Sequence, residues 1–302
     1  MSLLDSTVAK FMPLIPKAVV KKISTRYIAG ESIQDTIACI QRLNRGGCCA
    51  TVDFLGEVIT RKSEALANAA EYIQVIEAIH RHGLDANISI KPSAMGLLLD
   101  EAFCHETVAS IVEAAAARGI FVRIDMEDVS CTQKEIELLL TLRESYQNVG
   151  IVLQAYLKRT YNDAELLIGR GANLRFCKGI YKEDPAVLVQ GAGDNRNAIN
   201  RHFLHHVQSA FKAGTYVAIA THDENLLNQI TGLIATLRPA ADKYEFQMLL
   251  GVCEPLRDKL KAQGHKVRVY VPYGSDWYGY STRRMKENPQ IAGYIFKALM
   301  FG

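Results

Sequence analysis

Two adjacent arginines, Arg283 and Arg284, lie close to the end of this 302-residue chain. Neighbouring guanidiniums repel each other, and an anion bound between them would relieve the repulsion. The planar fork of donors on arginine suits a carboxylate or a phosphate in two-point fashion. The same stretch, YVPYGSDWYGYSTRRMKEN (270–288), holds four tyrosines and the only tryptophan of the chain. It therefore predicts a pocket for a small acid with an apolar body, and a solvated helix face is the plainer alternative.

Further polar residues follow short β-branched runs elsewhere in the chain. A lone lysine or aspartate in such a place occurs in many proteins, so these residues carry weight only as a set. Together they supply cations, a carboxylate, an amide and a glycine that allows close backbone approach. The set comprises Lys91 in ISIKPS, Asp125 in RIDMED, Gln154 in VLQAYL, Arg175, Lys178 and Gly179 in LRFCKG, and Thr221 and His222 in IATHD.

The elements that must position these residues repeat with one rhythm, a β-branched run followed by a polar turn and a helical stretch. Eight such runs in about 250 residues predict a (β/α)8 barrel of the TIM type, with extra N-terminal helices and a C-terminal helix. The alternative is an open doubly wound sheet, which would usually carry a glycine-rich phosphate turn after its first strand. The runs span 48–56, 86–93, 120–128, 149–157, 172–181, 215–223, 244–252 and 266–274.

Several of the predicted strands carry polar residues at a spacing of two. Arg123, Asp125 and Glu127 share one face of the third strand, for example. Because one face of every strand points into the barrel, the interior should be unusually polar. A self-contained ion-pair network accounts for Arg123, Glu127, Glu245 and Arg268, which come earlier in their strands, as well as function does. Residues later in the strands belong to the carboxyl-end face, where such barrels have their active sites.

Composition narrows the class of protein. An apolar fraction of 49% with 22% charged residues is typical of a globular enzyme, and a net charge of +3 gives no argument for nucleic acid. Seven cysteines without a CxxC pair indicate a reducing compartment. No metal site is expected, because the nearest candidate, His202, His205 and His206, should form the solvated outer face of a helix.

We expect a single catalytic domain, 1–302, in which a helical N-terminal extension (1–45) precedes the barrel (46–302). The extension contains no run of the ~18 apolar residues needed to span a bilayer. Its role is open between capping the bottom of the barrel and touching a membrane surface.

Taken together, the motifs resemble those of proline dehydrogenase, the flavin-dependent barrel family of proline catabolism. The matching segments are ISIKPS, VRIDMED, VLQAYL, LRFCKGIY, ATHD, FQMLLGV and RVYVPYG followed by YSTRRMKEN. They occur in the order of the family, from about residue 48 to residue 290. The final tyrosine, arginine pair and glutamate are the most specific part of the resemblance.

The resemblance implies a role for individual residues. Asp125 and Arg175 match active-site residues beside the flavin, and Glu287 matches an acidic residue near the arginine pair. The matches to substrate-binding residues are Lys91, Tyr270, Tyr280, Arg283 and Arg284. The matches to positions that contact flavin adenine dinucleotide (FAD) are Met126, Gln154, Lys178, Gly179, Ile180, Thr221 and His222.

The resemblance also implies a reaction, the oxidation of L-proline to 1-pyrroline-5-carboxylate as the first step of proline degradation to glutamate. Electrons would pass from FAD to a quinone, so a cytoplasmic protein is expected, with peripheral contact to the inner face of the cytoplasmic membrane left open. Oligomeric state is open as well. The alternatives are a hydroxyproline dehydrogenase, a Schiff-base barrel aldolase that uses Lys91 or Lys178, and a binding barrel without catalysis.

Each implied role has a structural alternative. Tyr280 and Trp277 could provide ordinary packing at the barrel rim, and Asp125 and Arg175 could be one buried structural ion pair. Our hypothesis is that Asp125 fixes Arg175 or Lys91 and is not the proton acceptor.

Overall fold

The computed structural model describes residues 20–21, 24–56 and 59–281, in which eight strands form a closed, all-parallel barrel. Each strand pairs with the next in sequence, and β1 pairs with β8 in the register Cys49↔Arg268. The barrel prediction is therefore confirmed, and closure excludes the open doubly wound sheet. The strands are β1 (Cys49–Phe54), β2 (Ala86–Ile90), β3 (Val122–Ile124), β4 (Val149–Gln154), β5 (Asn173–Cys177), β6 (Val217–Ala220), β7 (Tyr244–Leu249) and β8 (Val267–Tyr273).

One α-helix precedes each strand and packs on the outside of the barrel. Local sequence fixes several helix ends. Ser32, for example, begins the first helix in a reciprocal capping box with Asp35, and Asp223 caps the seventh helix through the Leu226 N–H. The helices are α1 (Ile33–Arg45), α2 (Lys62–Arg81), α3 (Glu101–Ala116), α4 (Thr132–Arg143), α5 (Thr160–Gly169), α6 (Asn200–Lys212), α7 (Glu224–Leu237) and α8 (Glu254–Ala262).

The inside of the barrel is polar, as the spacing of two along the strands predicts. Arg268 Nε donates to Glu245 Oε1 at 2.7 Å, and Gln247 Nε2 donates to the same oxygen at 2.7 Å. Gln247 in turn accepts from Arg175 Nη1 at 3.3 Å. Burial raises the pKa of Glu245, but the Arg268 guanidinium lowers it more, to a net value of about 2. The network links β5, β7 and β8 and keeps its buried charges paired.

Arg123 is the exception, since its guanidinium is buried against neutral oxygens. It donates to the carbonyl oxygens of Ile151 at 3.1 Å and Asn173 at 2.7 Å, and to the side-chain oxygen of Asn173. Burial lowers the pKa of Arg123 to about 9. Gly150 on β4 makes room for this side chain, because a Cβ there would lie 2.7 Å from Arg123 Nη1 and would also meet the Asn173 carbonyl oxygen.

Two details of the sequence interpretation are wrong. Glu127 does not lie early in a strand, because β3 ends at Ile124, and its carboxylate binds Ser93 outside the barrel interior. His206 is not on a solvated face. It is only 1% exposed and stacks on Phe176 with ring centroids 5.4 Å apart, so it belongs to the layer between α6 and the barrel.

Residues 26–29, which come shortly before α1, lie at the carboxyl ends of the strands. Ala29 N donates to the Pro272 carbonyl oxygen at 2.8 Å, and Arg26 Nε donates to the Gly251 carbonyl oxygen at 3.0 Å. Tyr27 is buried in a small apolar cluster with Tyr280. Residues 26–29 therefore lie against the mouth of the barrel and not against its bottom. Among the residues described, no helix has the length and apolar character required to cross a membrane.

Replacing Gly150 by alanine should disrupt the barrel. The new methyl group would displace either the β5 backbone or the Arg123 guanidinium, so we expect a loss of about 3 kcal/mol or more in the free energy of unfolding, measured by urea denaturation. The matched control is Gly232→Ala on α7, where a Cβ meets nothing within 4 Å. That variant should be unchanged or more stable by up to about 1 kcal/mol. Equal effects of the two substitutions would contradict the assigned role of Gly150.

Candidate active site

The centre of the site is an ion pair that bridges the mouth of the barrel. Asp125 follows the last residue of β3 and accepts from Arg175 Nη2 on β5 through Oδ1. Its Oδ2 accepts from the Tyr270 hydroxyl at 2.7 Å and from Ser89 Oγ at 3.2 Å. The Tyr270 ring centroid lies 5.4 Å from the Arg175 guanidinium carbon. Three residues that lie far apart in the sequence thus form one contact set.

The pKa shifts of Asp125 and Tyr270 keep each of these groups in one ionisation state at neutral pH. Burial raises the pKa of Asp125, but Arg175 and then Lys91 lower it more, so the net pKa is below its usual range. Burial raises the pKa of Tyr270 well above its ordinary value, which keeps its hydroxyl a proton donor. Asp125 is therefore an ionised acceptor of hydrogen bonds from three side chains, Arg175, Tyr270 and Ser89, which agrees with the hypothesis that it fixes Arg175.

Lys91 is held by a different carboxylate. Its Nζ lies 2.6 Å from Asp53 Oδ1 on β1, and the Asp53 side chain is 1% exposed. Burial lowers the pKa of Lys91, but Asp53 and Asp125 raise it more, so the ammonium stays charged. Sequence reasoning missed Asp53. The signal was a carboxylate inside the largely apolar run CCATVDFLG, because a buried carboxylate requires a cation close to it.

Gln154 ends β4 with one half of its amide free. Its Nε2 donates to the Glu127 carbonyl oxygen at 2.8 Å. Its Oε1 is buried without a hydrogen-bond partner among the residues that the structure describes. An orphaned acceptor of this kind at the barrel mouth fits an N–H donor of a bound group such as the flavin ring edge.

The loop after β5 brings together Lys178, Gly179 and Ile180. Gly179 has φ of +106°, and a Cβ there would run into the Tyr156 ring, so both backbone and space require glycine. Lys178 Nζ lies 2.6 Å from Asp223 Oδ2, which neutralises the charge expected for a phosphate. Ile180 is 41% exposed, an open apolar surface beside the strand end.

Thr221 and His222 follow β6 on the same face. Thr221 Oγ1 accepts from Asp223 N at 3.2 Å, and His222 Nε2 accepts from Leu249 N at 3.0 Å. The imidazole therefore ties the end of β6 to the end of β7. Sequence reasoning also missed Asp223, although an aspartate at a helix start directly after His222 is a capping signal.

Tyr280 lies one residue before the end of the described chain. It is 9% exposed and packs with Tyr27, Ile28 and Leu55, with Trp277 at the edge of the cluster. Arg283, Arg284 and Glu287 lie outside the described residues, so the anion clamp stays a prediction. Met126 lies next to Asp125 in the chain, and its carbonyl oxygen accepts from the Tyr181 hydroxyl at 3.4 Å.

A group with metal-ligating atoms lies behind this face. Glu127, Cys131 and Glu135 are all buried, and one ligand atom from each lies within 4.8 Å of the others. Sequence reasoning predicted no metal and did not single out this group. By contrast, the residues at the mouth fit a flat organic cofactor, since they supply an orphaned amide oxygen, a glycine-only backbone and exposed apolar surface.

The chain is similar to known proteins over almost its whole length. The family model for proline dehydrogenase matches residues 36–295. Proline dehydrogenase 1 of Bacillus subtilis subsp. natto is 35% identical over 275 residues, which cover 91% of this chain and 90% of the relative. Proline dehydrogenase of Deinococcus radiodurans is 34% identical over 285 residues, 93% of this chain and 91% of the relative.

Solved structures show the same fold at lower identity. Proline utilization A (PutA) from Bdellovibrio bacteriovorus, inactivated by N-propargylglycine, superposes with a TM-score of 0.81 at 22% identity, over 89% of this chain and 33% of that one. PutA from Corynebacterium freiburgense gives a TM-score of 0.75 at 18% identity, over 98% of this chain and 34% of that one. The family match and the two full-length relatives establish that this chain belongs to the proline dehydrogenase family.

Proposed function

We propose that this member of the proline dehydrogenase family uses FAD to oxidise L-proline to 1-pyrroline-5-carboxylate and passes the electrons to a quinone. The observation that carries the proposal is the Asp125–Arg175–Tyr270 contact set, which lies at the same barrel mouth as the orphaned amide oxygen of Gln154. The first part suits a polar substrate, and the second suits a cofactor with N–H donors.

In this proposal FAD supplies the acceptor for a hydride from the proline ring carbon next to nitrogen. Gln154 Oε1 would accept a hydrogen bond from an N–H of the flavin, and the backbone around Gly179 would allow the cofactor to approach closely. Met126, Lys178, Ile180, Thr221 and His222 are the further residues proposed for FAD, as the resemblance implies. Arg175 keeps a positive charge beside the reaction centre, and Asp125 and Gln247 hold its guanidinium in place.

The charge balance of the described residues supports a proposal for the position of the proline carboxylate. Lys91 is paired with Asp53 and Arg175 with Asp125, so these four groups sum to zero. A bound carboxylate therefore needs further positive charge, which the proposal assigns to Arg283 and Arg284. Because its charge is balanced by Asp53, Lys91 would orient the bound carboxylate by hydrogen bonding more than attract it by net charge.

The ionisation states bear on the proton of the substrate amine. The pKa of Asp125 is lowered and that of Lys91 is raised, so at neutral pH neither group is ready to accept a proton. We therefore propose that the amine loses its proton to water before hydride transfer, while Asp125 orients Arg175 and the Tyr270 hydroxyl.

The structure argues against the Schiff-base alternative. A Schiff-base lysine must lose its proton to attack a carbonyl. Lys91 and Lys178 each lie 2.6 Å from a carboxylate oxygen, and the pKa of Lys91 is raised. Hydroxyproline stays the second candidate substrate. It ranks below proline because the buried Tyr280 ring, which is proposed to pack on the substrate ring, would crowd its hydroxyl group.

The proposal extends to the partners of the enzyme. A quinone acceptor implies peripheral contact of a cytoplasmic protein with the inner face of the cytoplasmic membrane. Reduction of a water-soluble quinone in detergent, compared with reduction in the presence of vesicles, would separate acceptor chemistry from membrane contact.

The central test is anaerobic addition of L-proline to the purified protein. We expect a yellow protein that releases FAD on denaturation and whose flavin absorbance bleaches with proline. Full bleaching by dithionite without bleaching by proline would rule out the substrate, and a colourless protein without turnover would rule out the cofactor.

Replacing Asp125 by asparagine should leave the Arg175 guanidinium buried without a counter-ion. We expect a loss of ~3–5 kcal/mol in the free energy of unfolding, measured by urea denaturation. The control is Asp258→Asn, which removes a half-exposed carboxylate paired with Arg257 and Lys261 and should cost no more than ~1 kcal/mol. If Asp125→Asn instead kept stability and flavin but changed only the acid limb of the kcat/KM profile, Asp125 would be the proton acceptor.

Replacing Tyr280 by serine should relax the choice of substrate. Removing the ring gives space for a hydroxyl group, so the kcat/KM ratio of hydroxyproline to proline should rise about tenfold or more. Tyr278→Ser, which alters the edge of the same apolar cluster, is the control and should leave the ratio unchanged. An equal loss of activity towards both substrates in Tyr280→Ser would reduce the role of this ring to packing.

A further inference from the structure

Glu127 joins three loops at the mouth of the barrel. Its carboxylate accepts from Ser93 N at 2.7 Å and from Ser93 Oγ, two residues after Lys91. Its carbonyl oxygen accepts from Gln154 Nε2 at 2.8 Å. Because Gln154 can rotate only if this bond breaks, Glu127 determines where the orphaned Oε1 points. Glu127 thus connects the loop after β2, which carries the proposed substrate lysine Lys91, with the end of β4, which carries the proposed cofactor amide of Gln154.

A second carboxyl lies directly behind Glu127. Glu135 on α4 is 1% exposed, and its Oε1 has no hydrogen-bond partner within the described part of the chain. One oxygen of Glu135, one of Glu127 and the Cys131 sulfur lie within 4.8 Å of one another. Two carboxylates this close in a buried place repel strongly, so one of them must be neutral or a cation must lie between them.

The surroundings decide which carboxyl is neutral. Burial raises the pKa of Glu127, but each of its oxygens accepts a bond from Ser93, and these bonds and Lys91 oppose the rise and stabilise its charge. Burial, then Glu127 and Asp125, raise the pKa of Glu135 to about 9. A metal ion would need the Cys131 thiolate, yet burial raises the pKa of that thiol to about 12. A proton is the occupant that these groups favour.

The charged and titratable groups around the pair come from four elements. Asp125, Glu127 and Asp128 face Glu135 from the end of β3. Cys131 lies at the start of α4, and the Cys104 thiol on α3 interacts with Glu127. Lys91, after β2, is the cation that acts on Glu127.

We propose that Glu127 is a positioning residue of the active site and that Glu135 keeps it anionic by remaining a protonated acid. The first half rests on the proposed function, because it concerns the substrate lysine and the flavin amide. The second half depends only on the fold and can be tested without cofactor or turnover.

The second half predicts how stability depends on pH. An acid with a raised pKa binds its proton in the folded state while the unfolded state releases it above the ordinary value of 4.5. The wild type should therefore lose stability relative to Glu135→Gln as pH rises from about 5 to about 9, by up to ~10-fold in the folding constant per pH unit. Above that range the difference should be constant.

Urea unfolding of the wild type and Glu135→Gln between pH 5 and 10 measures this difference. The control is Glu137→Gln, an exposed neighbour on the same helix, whose difference from wild type should not change with pH. A pH-independent difference for Glu135→Gln would overturn the proposal. So would a stabilisation by Zn²⁺ that is present in the wild type and absent in Glu135→Gln, which would indicate a metal site.

The first half is tested by Glu127→Leu and Glu127→Gln. Both should shift the flavin absorbance and raise KM for proline, by roughly 10–100-fold in Glu127→Leu and less in Glu127→Gln, which keeps an acceptor for Ser93 N. Reduced stability with an unchanged spectrum and unchanged KM would make Glu127 merely structural. If the wild type bound no flavin, the proposed function would fail while the pH experiment on Glu135 would still give its answer.

Discussion

The ion pair between Asp125 and Arg175 is the interaction on which the rest of the site depends. It spans from the end of β3 to the middle of β5, and both side chains are almost fully buried. A buried pair of this kind is tolerated only when the remaining donors and acceptors are satisfied, and here Tyr270, Ser89 and Gln247 do so. Since these three partners come from β8, β2 and β7, and the pair itself from β5 and the end of β3, closure of the barrel is a precondition of the site.

The hydrogen-bond network continues from the mouth into the interior of the barrel. Gln247 passes the network from Arg175 to Glu245, which holds Arg268. The Arg175 guanidinium is thereby held by Gln247 from below and by Asp125 from the side, so the polar interior of the barrel supports the candidate site. An apolar interior would leave Arg175 free to change rotamer.

The fold could be predicted from sequence because strand runs and helical stretches alternate with little interruption, and because polar residues kept a period of two. The chemistry of single residues at strand ends could be placed on one face for the same reason. What could not be predicted was which charged side chains form ion pairs with each other. Asp53 and Asp223 meet Lys91 and Lys178 from the neighbouring strand, β1 beside β2 and β6 beside β5, and a local sequence pattern does not contain the register between two strands. His206 misled because a histidine beside two others looks solvated, whereas its position on α6 faces Phe176.

The contacts of Arg26 and Tyr27, which lie before α1, bear on the order in which the protein folds. Arg26 bonds to Gly251, 225 residues later in the chain, and Tyr27 shares a cluster with Tyr280. Contacts of such sequence separation form late, since the intervening chain must be ordered first. On the ribosome, Arg26 and Tyr27 therefore cannot form these contacts until the chain that carries Gly251 and Tyr280 has emerged. The mouth is consequently the last part of the molecule to be completed.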